Sequence, residues 1–401
     1  MADVRPFRAI RPANDRAGQV IAPPYDVLTE QEARSLAENP MSFVRVTRSE
    51  VDLPIGTDAH SLAAYTQAKE TLNAFVDKQV LIQDETPTYY LYGQVMGTHR
   101  QVGIIAAASV EEYDQGGIKK HEYTRPDKED DRTQHMDVLD AQVGLVFLTY
   151  PADPTLTQLM KQVTDEQPLW NVTTEDGVEH TLWTTPNTLV DAFQRAFAEI
   201  NTLYIADGHH RSAAASRIHA KRNTQQSAYF LAGLFPDNQL HVMAYNRVVH
   251  DLNGLTQEQF LRAISEDFEL TPTKHPSPKQ RGDIHMFING SWLKMVPNAD
   301  IVNERDPVAS LDVAVLQDRV LSPLLGIHDP RRSTRISFVG GIRGHNALEQ
   351  AVNNGAAVAF HMYPTGLDQL FRVADADQVM PPKSTWFEPK LREGVAIRGL
   401  D

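Results

Sequence analysis

LYIADGHHRSAAASRIHAKRN, residues 203–223, joins an apolar run to a helix-like one, with Asp207, Gly208, His209, His210 and Arg211 at the join. Leu203 to Ala206 read as a buried strand, Asp207-Gly208 as a tight turn, and His209 onward as a helix with small residues at Ala213, Ala214 and Ala215. The N-terminus of that helix points at whatever the turn holds. Its backbone N–H groups carry roughly half a positive charge, and His209, His210 and Arg211 add donors and charge, which makes a compact anion site. Gly208 lets a phosphate approach the backbone, and Asp207 is suited to hold a magnesium ion that bridges phosphates. The plainer reading makes Asp207 an N-cap and the histidines surface residues. Against it, cationic side chains crowded at an already positive helix end cost stability unless an anion compensates.

The elements around this stretch repeat the alternation. Residues 88–96 and 101–110 read as neighbouring strands, 143–150 and 228–235 as further strands, and 241–249 as another. Helices are expected over 30–38, where Thr29 and Glu32 fit a capping box, and over 59–77, 133–141, 154–165 and 186–199. The polar segment from Gly116 to Arg132 reads as a loop. This is an α/β (α+β) layered pattern. With 401 residues the chain exceeds the roughly 250–300 at which one core stops growing, so two domains are expected, 1–250 and 251–401. In the second, residues 284–290 and 291–296 form a hairpin about Asn289-Gly290, helical patterns cover 307–325 and 344–354, and an irregular polar tail follows residue 379.

Composition removes several classes. There is no cysteine, hence no disulfide, thiolate metal site or cysteine nucleophile. A net charge of −14 argues against non-specific wrapping of nucleic acid, so any bound phosphate must meet a local positive cluster. The absence of a long apolar run or a signal-like start predicts a cytoplasmic protein with no membrane partner.

A second cluster lies in residues 118–132, IKKHEYTRPDKEDDR, where His121 and Glu122 sit among Lys119, Lys120, Arg125, Lys128 and Arg132. Such a run is commonly a solvated loop, but a carboxylate set among cations stays ionised and is able to accept a hydroxyl proton.

HE at residues 121–122, DR at 131–132 and ADGHHR at 206–211, together with PPYDV near the start and MPPKSTWFEPKL near the end, resemble the domain-of-unknown-function family DUF1015 from Pro23 to Leu391. The DGHHR element is also similar to that of free-serine kinases built on a ParB/sulfiredoxin-like nucleotide-binding core. The resemblance implies such a core, elaborated with extra strands and helices, and a C-terminal α+β domain. It implies an ATP-dependent kinase with magnesium that phosphorylates a small hydroxyl-bearing metabolite, free L-serine first. Glu122 would then act on the acceptor hydroxyl with His121 beside it, and Asp207 would manage magnesium. Gly208, His209, His210, Arg211 and Arg132 would hold nucleotide phosphates, and the DR pair, Asp131 and Arg132, would lock the loop or touch phosphate. Lys383, in MPPKST, joins the phosphate-binding set. The chain departs from the family pattern at Gln142, Leu145 and Gln317, which leaves the acceptor open.

Two other readings stand beside the kinase. A metal hydrolase would use His121, Glu122, Asp207, His209 and His210, although adjacent helical side chains diverge by roughly 100°. A non-catalytic nucleotide-binding regulator would use the same anion site as a switch. Arg331, Arg332 and Arg335 form another cationic cluster, read first as salt-bridge partners. The sequence leaves the choice between monomer and homo-oligomer open.

Overall fold

The computed structural model describes residues 1–400, which pack as two compact units. The first comprises Met1–Lys120, Thr124–Leu240 and the described residues from Pro389 onward; the second comprises His121–Tyr123 and His241–Glu388. Among the described residues no helix is long and apolar enough to cross a membrane.

The first unit is built on a nine-stranded sheet. Its strands are β1 (Val4–Arg5), β2 (Tyr90–Met96), β3 (His99–Ser109), β4 (Ile118–Lys119), β5 (Val146–Tyr150), β6 (Trp170–Thr173), β7 (Glu179–Thr184), β8 (Leu203–Asp207) and β9 (Tyr229–Pro236). The order is β4-β8-β5-β9-β3-β2-β7-β6, with β1 added on β3. The β4/β8 and β5/β9 pairs are parallel and the β8/β5 pair antiparallel, so the sheet is mixed. Helices α1 (Leu62–Asp77), α2 (Pro126–Leu139), α3 (Pro154–Thr164), α4 (Asn187–Ala198) and α5 (His209–Arg222) accompany it. The main core joins Leu148, Ile205 and Leu234 of the sheet to Phe193 and Phe197 of α4 and to Ala214 and Ile218 of α5. The fold is mixed α/β, and the capping box at Thr29 and Glu32 is present.

Part of the expected loop is helix. Residues 126–132 begin α2, with Pro126 in the first turn and Asp127 and Glu129 near the positive end. The inward positions of α2 are Asp131, His135, Met136 and Leu139, two of them polar, which hides the helical period from a hydrophobic pattern. Its acidic outer face answers the basic face of α5: Arg217 lies 2.7 Å from Asp130, and Lys221 2.6 Å from Asp137.

The tail is also not the irregular polar segment expected. Val395, Ala396, Ile397 and Leu400 are buried, Arg398–Gly399 pairs with Ala141–Gln142, and Ile397 bridges Ile10. Ile397 completes a second core with Phe43, Leu72, Phe75 and Leu139. The polar residues between are satisfied internally: Arg398 donates to the carbonyls of Tyr229 at 3.0 Å and Gln226 at 2.6 Å, and Arg392 pairs with Asp176. A polar composition therefore conceals a segment whose charges are paired inside the protein.

The second unit carries a six-stranded antiparallel sheet in the order Phe268–Pro272, Ser291–Pro297, Ile284–Ile288, Val358–His361, Tyr245–Val249 and Ile336–Gly340. The hairpin turn has Asn289 and Gly290 at φ 47° and 74°, the left-handed pair a two-residue hairpin prefers. The single strand expected over 241–249 is two, because His241–Met243 pairs with Trp386–Glu388 and the chain breaks at Ala244. The helical pattern at 307–325 shrinks to Asp312–Leu316 followed by a π-helical turn, Gln317–Leu321.

Candidate active site at the DGHHR turn

The strand that leads into the turn is irregular where it matters. Ile205 faces Leu148 and Asp207 faces Phe147, so an extra residue bulges out of β8 just before the turn. Bulges re-aim the side chain that follows, here Asp207. Gly208 then sits at φ 97° as the N-cap of α5, and no side chain caps that end. Asp207 is therefore not the N-cap that the plainer sequence reading makes it. Its Oδ1 instead accepts the Gly208 N–H at 2.7 Å.

Only glycine suits position 208. A Cβ there would lie 3.2 Å from Val146 Cα and 3.1 Å from Arg211 Nε, at a φ that L side chains rarely adopt. Gly208→Ala is expected to lower unfolding free energy by about 1–3 kcal/mol, read from urea unfolding curves.

Charge is concentrated on both sides of the turn. Asp207 Oδ2 lies 3.0 Å from Lys390 Nζ, and Oδ1 lies 4.0 Å from an Arg211 nitrogen. Burial pushes the Asp207 carboxyl up, but Lys390 and Arg211 outweigh it and hold the group well below the usual carboxylate range. Lys390 and Arg211 thus favour the carboxylate form of Asp207. His209 is buried, and His210 accepts the backbone N–H of Arg125 at Nε2, 3.1 Å away.

Behind the turn, Arg211 reaches into a cavity of about 30 Å³ lined by Tyr25, Arg132, His135, Gly144 and Glu393 among others. A Cβ at Gly144 would sit 3.3 Å from Arg211 Nη1 and 3.5 Å from Glu393 Oε1, so the missing side chain lets both groups close on the backbone. Arg132 lies 4.0 Å over the Tyr25 ring and pairs with Asp131 at 2.8 Å. Asp131 in turn accepts from Tyr65 at 2.8 Å and lies 2.7 Å from His60, so this acid is a structural anchor for Arg132. Burial first, then Arg132, push His135 down to about 3, and its ring stays neutral against the Val46 carbonyl. Burial lifts Glu393 to about 7, opposed by Arg211, and Glu393 accepts the Tyr25 N–H at 3.1 Å.

Asp207, Gly208, His209, His210, Arg211 and Arg132 therefore all belong to the first unit, the first five at the turn and Arg132 beside Arg211 across the cavity. His121 and Glu122 pack with the second unit, as does Lys383, whose Nζ lies 5.6 Å from the Tyr245 ring centre. Within that unit Arg331 and Arg332 pair with Asp329, and Arg335 with Asp251, the salt bridges expected of them. The sequence reading misses Lys390 and Glu393. Both lie in the polar tail, and Lys390 stands in the stretch that also supplies Lys383.

The departures from the family pattern have structural roles. Gln142 accepts the Leu231 N–H at 2.8 Å, Gln317 donates to the Ile327 carbonyl at 2.8 Å, and Leu145 is buried.

No curated protein matches the chain. Among solved structures it is similar to a free serine kinase in complex with AMP, at 11% identity and TM-score 0.36 over 71% of this chain and 86% of that one. It is also similar to SbnI with a C-terminal truncation from Staphylococcus aureus, at 10% identity and TM-score 0.40 over 72% and 84%. A conserved hypothetical protein from Pyrococcus furiosus matches at 10% identity and TM-score 0.35 over 71% and 90%. The family model described as "Protein of unknown function (DUF1015)" matches residues 4–314, about three quarters of the sequence, and the chain belongs to that family.

Proposed function

We propose that the protein is an ATP-dependent small-molecule kinase that phosphorylates a hydroxyl, with free L-serine as the first acceptor to test. The observation that carries this reading is the ionised Asp207 at a glycine turn and helix start, flanked by Arg211 and Lys390. Phosphoryl transfer asks a protein mainly to position oxygens and neutralise charge. In this reading the helix start with Gly208, His209, His210 and Arg211 receives phosphate oxygens, Arg132 adds charge through the cavity, and Lys383 contributes to the nucleotide. Glu122, with His121 beside it, orients and deprotonates the acceptor hydroxyl.

The turn fits a magnesium ion in donor chemistry. Asp207 is a carboxylate with a partly exposed side chain, and magnesium commonly takes one or two carboxylates and completes its shell with phosphate oxygens and water. When bound, the ion would neutralise charge on the transferred phosphoryl group.

The test is to incubate the purified protein with magnesium, ATP and a panel of amino acids and to look for phosphoserine. Transfer to serine supports the proposal. ATP binding without transfer to any amino acid or sugar would replace it with the regulator. Glu122→Gln is expected to lower kcat at least about tenfold and to change nucleotide affinity less than about threefold. Equal loss of both would remove Glu122 from its role.

A further inference from the structure

We infer that Lys390, supplied by the chain's final segment, is the residue that grips the terminal phosphates of a nucleoside triphosphate at the turn. The inference rests on the nucleotide reading above and adds to it a residue and a discrimination.

Lys390 Nζ lies 3.0 Å from Asp207 Oδ2, while the other oxygen of Asp207 is occupied by the Gly208 N–H. The lysine is held from behind. Its carbonyl accepts from Gln94 Nε2 at 2.9 Å, and Gln94 is fixed by Gln101 at 2.9 Å. Two residues on, Arg392 is buried, donates toward His180 Nε2 at 3.3 Å and pairs with Asp176; His180 is itself bonded to Tyr92 at 2.7 Å. Glu393 then bridges Ala22 and bonds Tyr25.

This anchoring fixes the backbone of Lys390 and leaves its four-carbon stem as the movable part. The Lys390 side chain retains about a fifth of its exposure and that of Asp207 a third, so the pair is half-buried and is not sealed in the core. A lysine at a phosphate site acts as a point charge with rotatable donors, and here the amine has only to exchange a carboxylate oxygen for a phosphate oxygen beside the same turn.

The experiment is isothermal titration of the full-length protein with ATP and with AMP, for wild type, Lys390→Met and Lys390→Arg. AMP lacks the phosphates that Lys390 would hold. The expected result is that Lys390→Met loses roughly tenfold or more in ATP affinity with AMP affinity nearly unchanged, and that Lys390→Arg keeps most of the preference for ATP. Should Lys390→Met fail to fold, Lys390→Gln gives the same comparison. An unchanged ATP-to-AMP ratio in the variant overturns the role of Lys390 and leaves the kinase reading intact. A wild-type protein that binds neither nucleotide overturns both.

Discussion

Asp207→Asn is expected to reduce phosphotransfer about 10²- to 10³-fold and to leave a folded protein. The asparagine oxygen still accepts the Gly208 N–H, so the turn keeps its shape while the charge is lost. Lys390 and Arg211 then face a neutral amide, which costs about 1–2 kcal/mol at this partly exposed site. The stability effect has a definite sign with pH. Because the carboxyl is held below its ordinary value of about 3.9, its contribution is complete above that value and disappears as acid protonates it in the fold. Wild type should therefore lose stability on acidification below about pH 4, and the variant should lack that part of the slope. Assay of phosphoserine formation and urea unfolding at pH 3 and pH 7 read the two effects separately. An Asp207→Asn protein of normal activity would remove the turn from the chemistry.

Glu393→Gln should behave in the opposite sense. Burial raises the Glu393 carboxyl to about 7, so the folded protein holds this proton more tightly than the unfolded chain does. Its effect is favourable in acid, declines as pH rises from about 4.3, and is a full penalty above 7, amounting to roughly 3 kcal/mol. Glutamine is neutral throughout and keeps an oxygen for the Tyr25 N–H. The variant is thus expected to match wild type near pH 4.5 and to exceed it at pH 8, as unfolding midpoints at the two pH values would show. Equal midpoint differences at both would mean that Glu393 is ionised in the fold.

How much of this was legible in the sequence follows from where the polar residues ended up. The strand, turn and helix of residues 203–223 could be read because Leu203–Ala206 are apolar and the alanines of α5 face the core. Only the second half of helix α2, from residue 133, could be read, since its first half shows solvent a run of acids and turns Asp131 inward. The bulge at Ile205–Asp207 leaves no mark in composition, yet it sets where the carboxylate points. The tail was hidden for a related reason: Arg392, Glu393 and Arg398 are ionisable groups of the interior, and pairing across 169 to 368 positions of chain cannot be seen in a local window. The candidate turn was therefore visible from one side, the Asp207–Arg211 side, and the lysine opposite it was not.

The long return of the chain also has a temporal meaning. Asp207 and Lys390 are 183 residues apart, which at roughly 5–20 residues per second leaves the ribosome about ten to forty seconds between them. A nascent chain that has already paired β8 with β5 still lacks its counter-cation and the last piece of its second core. Closure of this centre consequently waits for the segment that carries Lys390, and products stalled or nicked before it would retain most of the sheet while leaving Asp207 without that cation.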